Sequence, residues 1–208
     1  MRRALRPEYE TTRWYEDNVR RFGSGFKALG FNQRSSQERR FGAALGLGAL
    51  HGRRVLDVGC GFGDLFAFLT ARGVRPQYTG IDICPPMIER CRKRFGAEAT
   101  FLIADALTYE PPEPFDYVVA SGIFGYQAKG TRARLQPTLE HLFAITGIGL
   151  ACNFLSGCAP RRSPGRLYVY PWDILQLAIG LTPTVRLDHT YLPNDFTLCM
   201  YQTPPWNT

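Results

Sequence analysis

"VLDVGCGFGDL", Val55–Leu65, sets a short apolar run against three glycines at alternate positions, 59, 61 and 63. A β-branched run of this length reads as a buried strand. Glycines directly behind it allow a tight turn and bring bare backbone close to a ligand. Asp64 then opens a helical pattern, "DLFAFLTARG", that closes on Gly73. Strand, glycine turn and helix together form the first unit of an α/β sheet.

The alternation continues downstream. "QYTGIDI" reads as a strand, and "PPMIERCRKRFG" as a helix with proline at its start and Gly96 at its end. "ATFLIAD" and "FDYVVASG" are strands. "RLQPTLEHLFAIT" places Leu135, Leu139, Leu142, Phe143 and Thr146 on one helical face, and Pro137 predicts a kink or a late start. "IGLACNFLS" is a strand, "PWDILQLAIGL" a helix, and "TVRLDHTY" and "FTLCMYQT" are strands around "LPND". Strands apolar on both faces and separated by helices predict an α/β fold. Its mostly parallel sheet has about seven strands, helices on both faces, and a last pair joined too closely to be anything but antiparallel. Upstream, a helix is expected around Thr12 to Phe22, and "GSGFKALG" reads as a loop. Ser35 with Glu38 suggests a capping box opening a second helix with Phe41 and Leu45 on its apolar face. Residues 1–52 are therefore expected to form a helical cap over the pocket, and residues 53–208 the core.

At 208 residues, with 45% hydrophobic and 21% charged content, the chain has the size and balance of one globular domain. No apolar run approaches the ~20 residues that span a bilayer. The basic start is not followed by an apolar stretch, so no signal peptide is read and a cytoplasmic location is expected. The cysteines at 60, 84, 91, 152, 158 and 199 form no C-x-x-C pair, which favours buried free thiols over disulfides or zinc. The net charge is +7, and 22 of the 25 basic residues are arginine. Scattered arginine pairs fit the codon usage of a GC-rich genome better than one polyanion-binding block. The first 54 residues, with eleven arginines and Lys27 against five acids, still keep a nucleic-acid partner as the lesser reading.

The ligand of the glycine turn follows from the acids around it. A dinucleotide fingerprint needs G-x-G-x-x-G and a P-loop needs G-K-[ST]; this chain has G-x-G-x-G followed by Asp64. Asp57, two residues before the first glycine, and Asp64 would both repel a pyrophosphate. They suit a nucleoside with a positive end, and S-adenosylmethionine, with its sulfonium and ammonium, is such a ligand. Asp57, Gly59, Gly61 and Gly63 are accordingly read as its cradle, although Asp57 also suits a purely supporting role in the loop.

"D-V-G-C-G-x-G" behind an apolar strand closely resembles the first motif of the class I S-adenosylmethionine-dependent methyltransferases, whose sheet is Rossmann-like. The resemblance runs from Arg53 to about Ser156. It implies that Asp82 in "GIDIC" bonds the ribose hydroxyls, with Ile83 beside it. It implies that Asp105 in "IADA" meets the adenine amino group beside the Ala106 backbone. It also implies that Ser121 and Gly122 in "VVASGIF" stand beside the transferable methyl. Asp105 equally suits a helix N-cap, Met87 suits either core or adenine contact, and Phe62 either covers the ligand or packs.

Acceptor residues are sought after the fourth and fifth strands. Phe124, Tyr126, Asn153, Arg161 and Trp172 are the candidates for substrate contact, Tyr126, Tyr170 and His189 are the catalytic candidates, and of these His189 is a potential base. His141 reads as structural, and Asp195 as a turn acid. Gln37 and Arg40 are expected to reach the donor's carboxylate. No [DNS]-P-P-[YFW] follows the fourth strand and no Pro-Cys pair marks a thiol nucleophile. The favoured activity is methyl transfer to a small-molecule acceptor, with no metal and no membrane. An RNA methyltransferase and a non-catalytic S-adenosylmethionine-binding protein are the alternatives.

Overall fold

The computed structural model describes residues 7–31 and 33–204. Eight strands form one sheet: β1 (Arg54–Val58), β2 (Gln77–Asp82), β3 (Thr100–Ile103), β4 (Phe115–Ser121), β5 (Thr146–Ser156), β6 (Tyr168–Val169), β7 (Val185–Leu192) and β8 (Asp195–Tyr201). The order is β3-β2-β1-β4-β5-β8-β7, with the two-residue β6 beside the end of β5. β1 to β5 run parallel; β8 is antiparallel to both β5 and β7. The order reverses at β1, between β2 and β4, and it is outside such a switch point that open α/β sheets bind ligands.

Alternation along the strands sends side chains to two cores. Leu56, Val58, Val118, Ala120, Leu150 and Cys152 face one side. There they meet Leu135, Leu139 and Leu142 of α5 (Thr131–Ala144) and Ile174 and Ala178 of α6 (Pro171–Ile179). Val55, Tyr117, Val119 and Ala151 face the other side. They meet Phe41 and Ala44 of α2 (Arg34–Leu45), Leu65, Phe66 and Leu69 of α3 (Asp64–Thr70), and Ile88 and Cys91 of α4 (Pro85–Phe95). A third, smaller cluster joins Val19 of α1 (Pro7–Phe22) and Ala28 of the following turns to Phe62, Cys84 and Met87. Phe62 is thus a packing residue that fastens the cap to the glycine loop.

Three local expectations are corrected. The capping box does not form: α2 begins at Arg34 with Gln33 at its N-cap and no side-chain cap bond, so Ser35 lies inside the first turn, and Glu38 pairs with Arg34 at 3.4 Å. Pro137 neither delays nor divides α5, which runs through it. Asp195 is not a turn acid but the fully buried first residue of β8. Cys158 is exposed, whereas the other five free cysteines are buried. No helix among the described residues is long and apolar enough to cross a membrane.

The glycine loop is drawn over β2. Gly59 and Cys60 donate N–H to Ile81 O at 2.8 and 3.0 Å, and Gly63 donates to Cys60 O at 2.9 Å. Gly63 has φ +73°, and a Cβ there would stand 2.5 Å from the Phe95 ring and 3.3 Å from Phe101. Left-handed backbone costs a non-glycine residue about 1–2 kcal/mol, and overpacking adds about 1–3 kcal/mol. Gly63→Ala is therefore expected to lower the melting temperature by about 5–15 °C for a domain of this size. A change under 2 °C in thermal denaturation contradicts this packing.

Candidate active site

A cavity of about 270 Å³ opens at the carboxyl ends of the central strands, beneath α1 and α2. Asp57, Gly59, Asp82, Ile83, Met87, Asp105 and Ala106 line it, and so do Ser121, Gly122, Phe124 and Asn153. Gly61 and Gly63 are not in its wall; they shape the loop from behind. Gln37 and Arg40 descend into it from α2.

Asp82 is braced for its position. One carboxylate oxygen accepts the Gly61 N–H at 2.9 Å and the other the Cys84 N–H at 2.9 Å. Burial raises its pKa and these amides oppose the rise. Asp57 accepts a short hydrogen bond from the buried Tyr78 hydroxyl. Burial pushes the Asp57 carboxyl up to about 7; the Tyr78 bond works against the shift, while the nearby charges of Asp82 and Asp64 add to it. Asp105 accepts the Leu107 N–H at 2.8 Å, so it does stabilise the turn after β3. It also pairs with Arg134 of α5, whose Nη2 lies 2.7 Å from both oxygens.

The cap is tied to the core by buried polar contacts. Arg40 Nη2 meets Asp195 Oδ1 at 2.6 Å, with the two side chains 10% and 0% exposed. Asn194 Nδ2 donates to Asp195 Oδ2 at 2.9 Å. Gln37 Nε2 donates to Asp64 Oδ2 at 3.1 Å. Two buried polar atoms among the described residues that line the cavity, Arg40 Nε and Ser121 Oγ, have no hydrogen-bond partner. A wall with unused donors, exposed loop backbone and buried acids fits a zwitterionic nucleoside.

Other expected residues lie elsewhere. Tyr126 is outside the wall, its ring stacked on Trp14 with centroids 4.8 Å apart. Tyr170 and Trp172 stack on each other at 4.6 Å on the outer start of α6, 40% and 59% exposed, and Arg161 is exposed. His189 on β7 meets Phe196 edge-on, its buried Nε2 unpartnered. His141 bonds the Tyr109 carbonyl at 2.9 Å. Residues without a motif complete the cavity: Thr11, Tyr15 and Phe31 from the cap, Arg134 from α5, Arg166 from the loop after β5, and Tyr168 of β6. Only the fold reveals the first five, whereas Tyr168 belongs to the aromatic stretch that follows the fifth strand in the sequence. Among the described residues no group of three or more His, Cys, Asp or Glu is placed to hold a metal ion.

A methyltransferase domain family matches residues 55–143. The Mycobacterium tuberculosis protein Rv1506c, provisionally named a methyltransferase, is 34% identical over 151 residues, covering 68% of this chain and 89% of that protein. The chain is a class I S-adenosylmethionine-dependent methyltransferase. This methyltransferase is also 37% identical over 146 residues to the demethylmenaquinone methyltransferase of Thermus thermophilus, covering 68% and 64% of the two chains. It spans only 36% of the trans-aconitate 2-methyltransferase of Methylobacterium radiotolerans. Its fold is that of the Burkholderia thailandensis 1,6-didemethyltoxoflavin-N1-methyltransferase, with TM-score 0.68, 15% identity and coverage of 98% and 93%.

The shifted Asp57 makes a pH prediction. With the positive end of a donor against Asp57 the ionised carboxylate is favoured, so binding is expected to lower the Asp57 pKa and release a proton. Donor affinity is expected to be flat above pH 7 and to fall as the pH drops below it, by up to about tenfold per unit. The ligand-free fold, conversely, loses stability as the pH rises from the ordinary carboxylate range through 7, and bound donor relieves that loss. Titration calorimetry across pH 5–8 checks this; an unchanged slope in Asp57→Asn removes Asp57 as its source.

Proposed function

We propose that this methyltransferase acts on a small-molecule acceptor enclosed between the glycine loop, a helical cap of residues 1–52 and the loop after β5, the core being residues 53–208. The observation that carries this reading is the roofed cavity: α1 and α2 close over the strand ends and leave a pocket, not a groove. Several arginines of the N-terminal region have partners within the fold, though among the described ones only Arg40 is buried. Arg40 pairs with Asp195, Arg39 bonds the Tyr191 carbonyl, Arg54 meets Glu113, and Arg20 meets Asp17. The relatives named for trans-aconitate and demethylmenaquinone favour a metabolite as well.

In this reading Asp82 holds the ribose hydroxyls, and Asp105 with the Ala106 backbone meets the adenine, Arg134 fixing the Asp105 carboxylate. Asp57 faces the donor's positive end. Arg40, with its spare Nε, and Gln37 reach the donor's carboxylate. Ser121 and Gly122 stand beside the methyl, which the sulfonium supplies when bound. The cap excludes water, and the walls hold the acceptor atom about 3 Å from the methyl carbon, in line with the leaving sulfur. A screen of metabolites with methyl-labelled donor tests the proposal. Label appearing in small molecules supports it; label appearing only in RNA or protein contradicts it.

A further inference from the structure

Cations in the cavity are almost all neutralised. Arg40 faces Asp195, and Arg134 faces Asp105. Arg166 differs. Its Nη2 donates to the Gly30 carbonyl at 3.0 Å, and its guanidinium lies 5.0 Å from the Trp14 ring centroid. No carboxylate among the described residues pairs with it. A guanidinium lining a cavity without a counter-charge is a ready site for a planar anion.

A second observation is independent of charge. An acceptor that carries a proton at neutral pH needs a base, and the carboxylates lining this cavity are already engaged, Asp57 by Tyr78, Asp82 by two backbone amides, Asp105 by Arg134 and Asp195 by Arg40. No histidine or lysine lines it among the described residues. Tyr170 and His189 do not line it, and Tyr126, whose backbone bridges to Arg166, turns its ring out of the wall onto Trp14. Tyr15 lines it, but burial first and the Asp82 charge second push its phenol up to about 12, so it stays protonated. Asp57 faces the donor's cation, which lowers its basicity once the donor is bound.

Resting on the small-molecule reading above, we infer that the acceptor is a carboxylate, that Arg166 binds it, and that the product is a methyl ester. A carboxylate is ionised at neutral pH and needs no base. Its oxygen forms the new bond to the methyl carbon as the carbon–sulfur bond breaks, and that electron pair goes to sulfur. The sulfonium becomes a neutral thioether, the acceptor loses its negative charge, and no proton is taken up or released. Arg166 is placed to hold one carboxylate oxygen while the other attacks. Its anchors on Gly30 and Trp14 also couple acceptor binding to the seated cap.

The test uses the full chain with methyl-labelled donor and a panel of carboxylic acids, their primary amides, amines, phenols and thiols. Label is expected on the acids alone, released by mild alkali as volatile methanol, with no acid liberated during turnover. Arg166→Ala is expected to raise the acceptor KM at least about tenfold, the loss of one hydrogen bond to a charged group. Its affinity for S-adenosylhomocysteine should stay within about twofold. Arg166→Lys, which keeps the charge, should recover part of the loss. Alkali-stable label on an amine, phenol or thiol overturns the inference and leaves the small-molecule reading standing. Loss of S-adenosylhomocysteine affinity in Arg166→Ala also overturns it, because Arg166 then serves the donor. If no probe accepts label, both fall.

Discussion

Asp82→Ala is expected to weaken S-adenosylhomocysteine binding by at least about a hundredfold. On the proposed placement, two ribose hydroxyls donating to one buried carboxylate would contribute about 1.5–3 kcal/mol each, and about 1.4 kcal/mol is a factor of ten. The loss has a second component. Asp82 accepts the Gly61 and Cys84 amides at 2.9 Å, so its removal frees both the glycine loop and the turn into α4. Asp82→Asn should be nearly as damaging. An amide has only one oxygen, so its NH2 group must face one of those two N–H groups. Calorimetry gives the affinity, and circular dichroism confirms that the sheet persists. Retention of affinity within threefold in a folded Asp82→Ala protein contradicts the assignment of the ribose to this residue.

The second large effect is at the Arg40–Asp195 pair. Asp195 has no exposure, and Arg40 supplies its counter-charge at 2.6 Å. Breaking a buried pair by removing one partner costs about 3–5 kcal/mol. Arg40→Met should therefore lower the melting temperature by about 6–20 °C, because the Asn194 and Asn153 amides alone cannot neutralise the carboxylate. The double variant Arg40→Met with Asp195→Asn removes both charges and should recover most of that stability. Donor affinity should not return with it, staying at least about tenfold below that of the unaltered chain if Arg40 holds the donor's carboxylate. Affinity that recovers together with stability would make Arg40 a purely structural residue.

The readable part of this chain was the part whose chemistry is local. An apolar strand, its glycines, Asp57 and Asp64 lie within a few residues of one another, and Asp82 and Asp105 each close a short strand pattern of their own. The positions of Asp57, Asp82, Asp105 and Ser121 around one cavity follow from strand order, which the alternation of strands and helices implies. Residues whose environment depends on distant chain were not readable. Asp195 sits in "LPND", which has the composition of a turn. Its burial arises because β8 inserts between β5 and β7 and because Arg40 arrives from a helix far upstream. Tyr170 and Trp172 adjoin the loop after β5 and are the kind of aromatic a pocket uses, yet the first turn of α6 points them outward. Tyr15 carries no motif and reaches the cavity only through the seating of the cap, and Arg166, equally without a motif, enters it from the loop after β5. The two residues of β6 are too few to leave any periodicity.

A crystal structure with S-adenosylhomocysteine bound examines the whole scheme in one observation. The scheme predicts ribose hydroxyls on Asp82, the adenine amino group toward Asp105, the sulfur beside Ser121 and Gly122, and the amino-acid end between Asp57 and Arg40. A nucleoside seated outside this cavity, or inside it with no contact to Asp82, would contradict it.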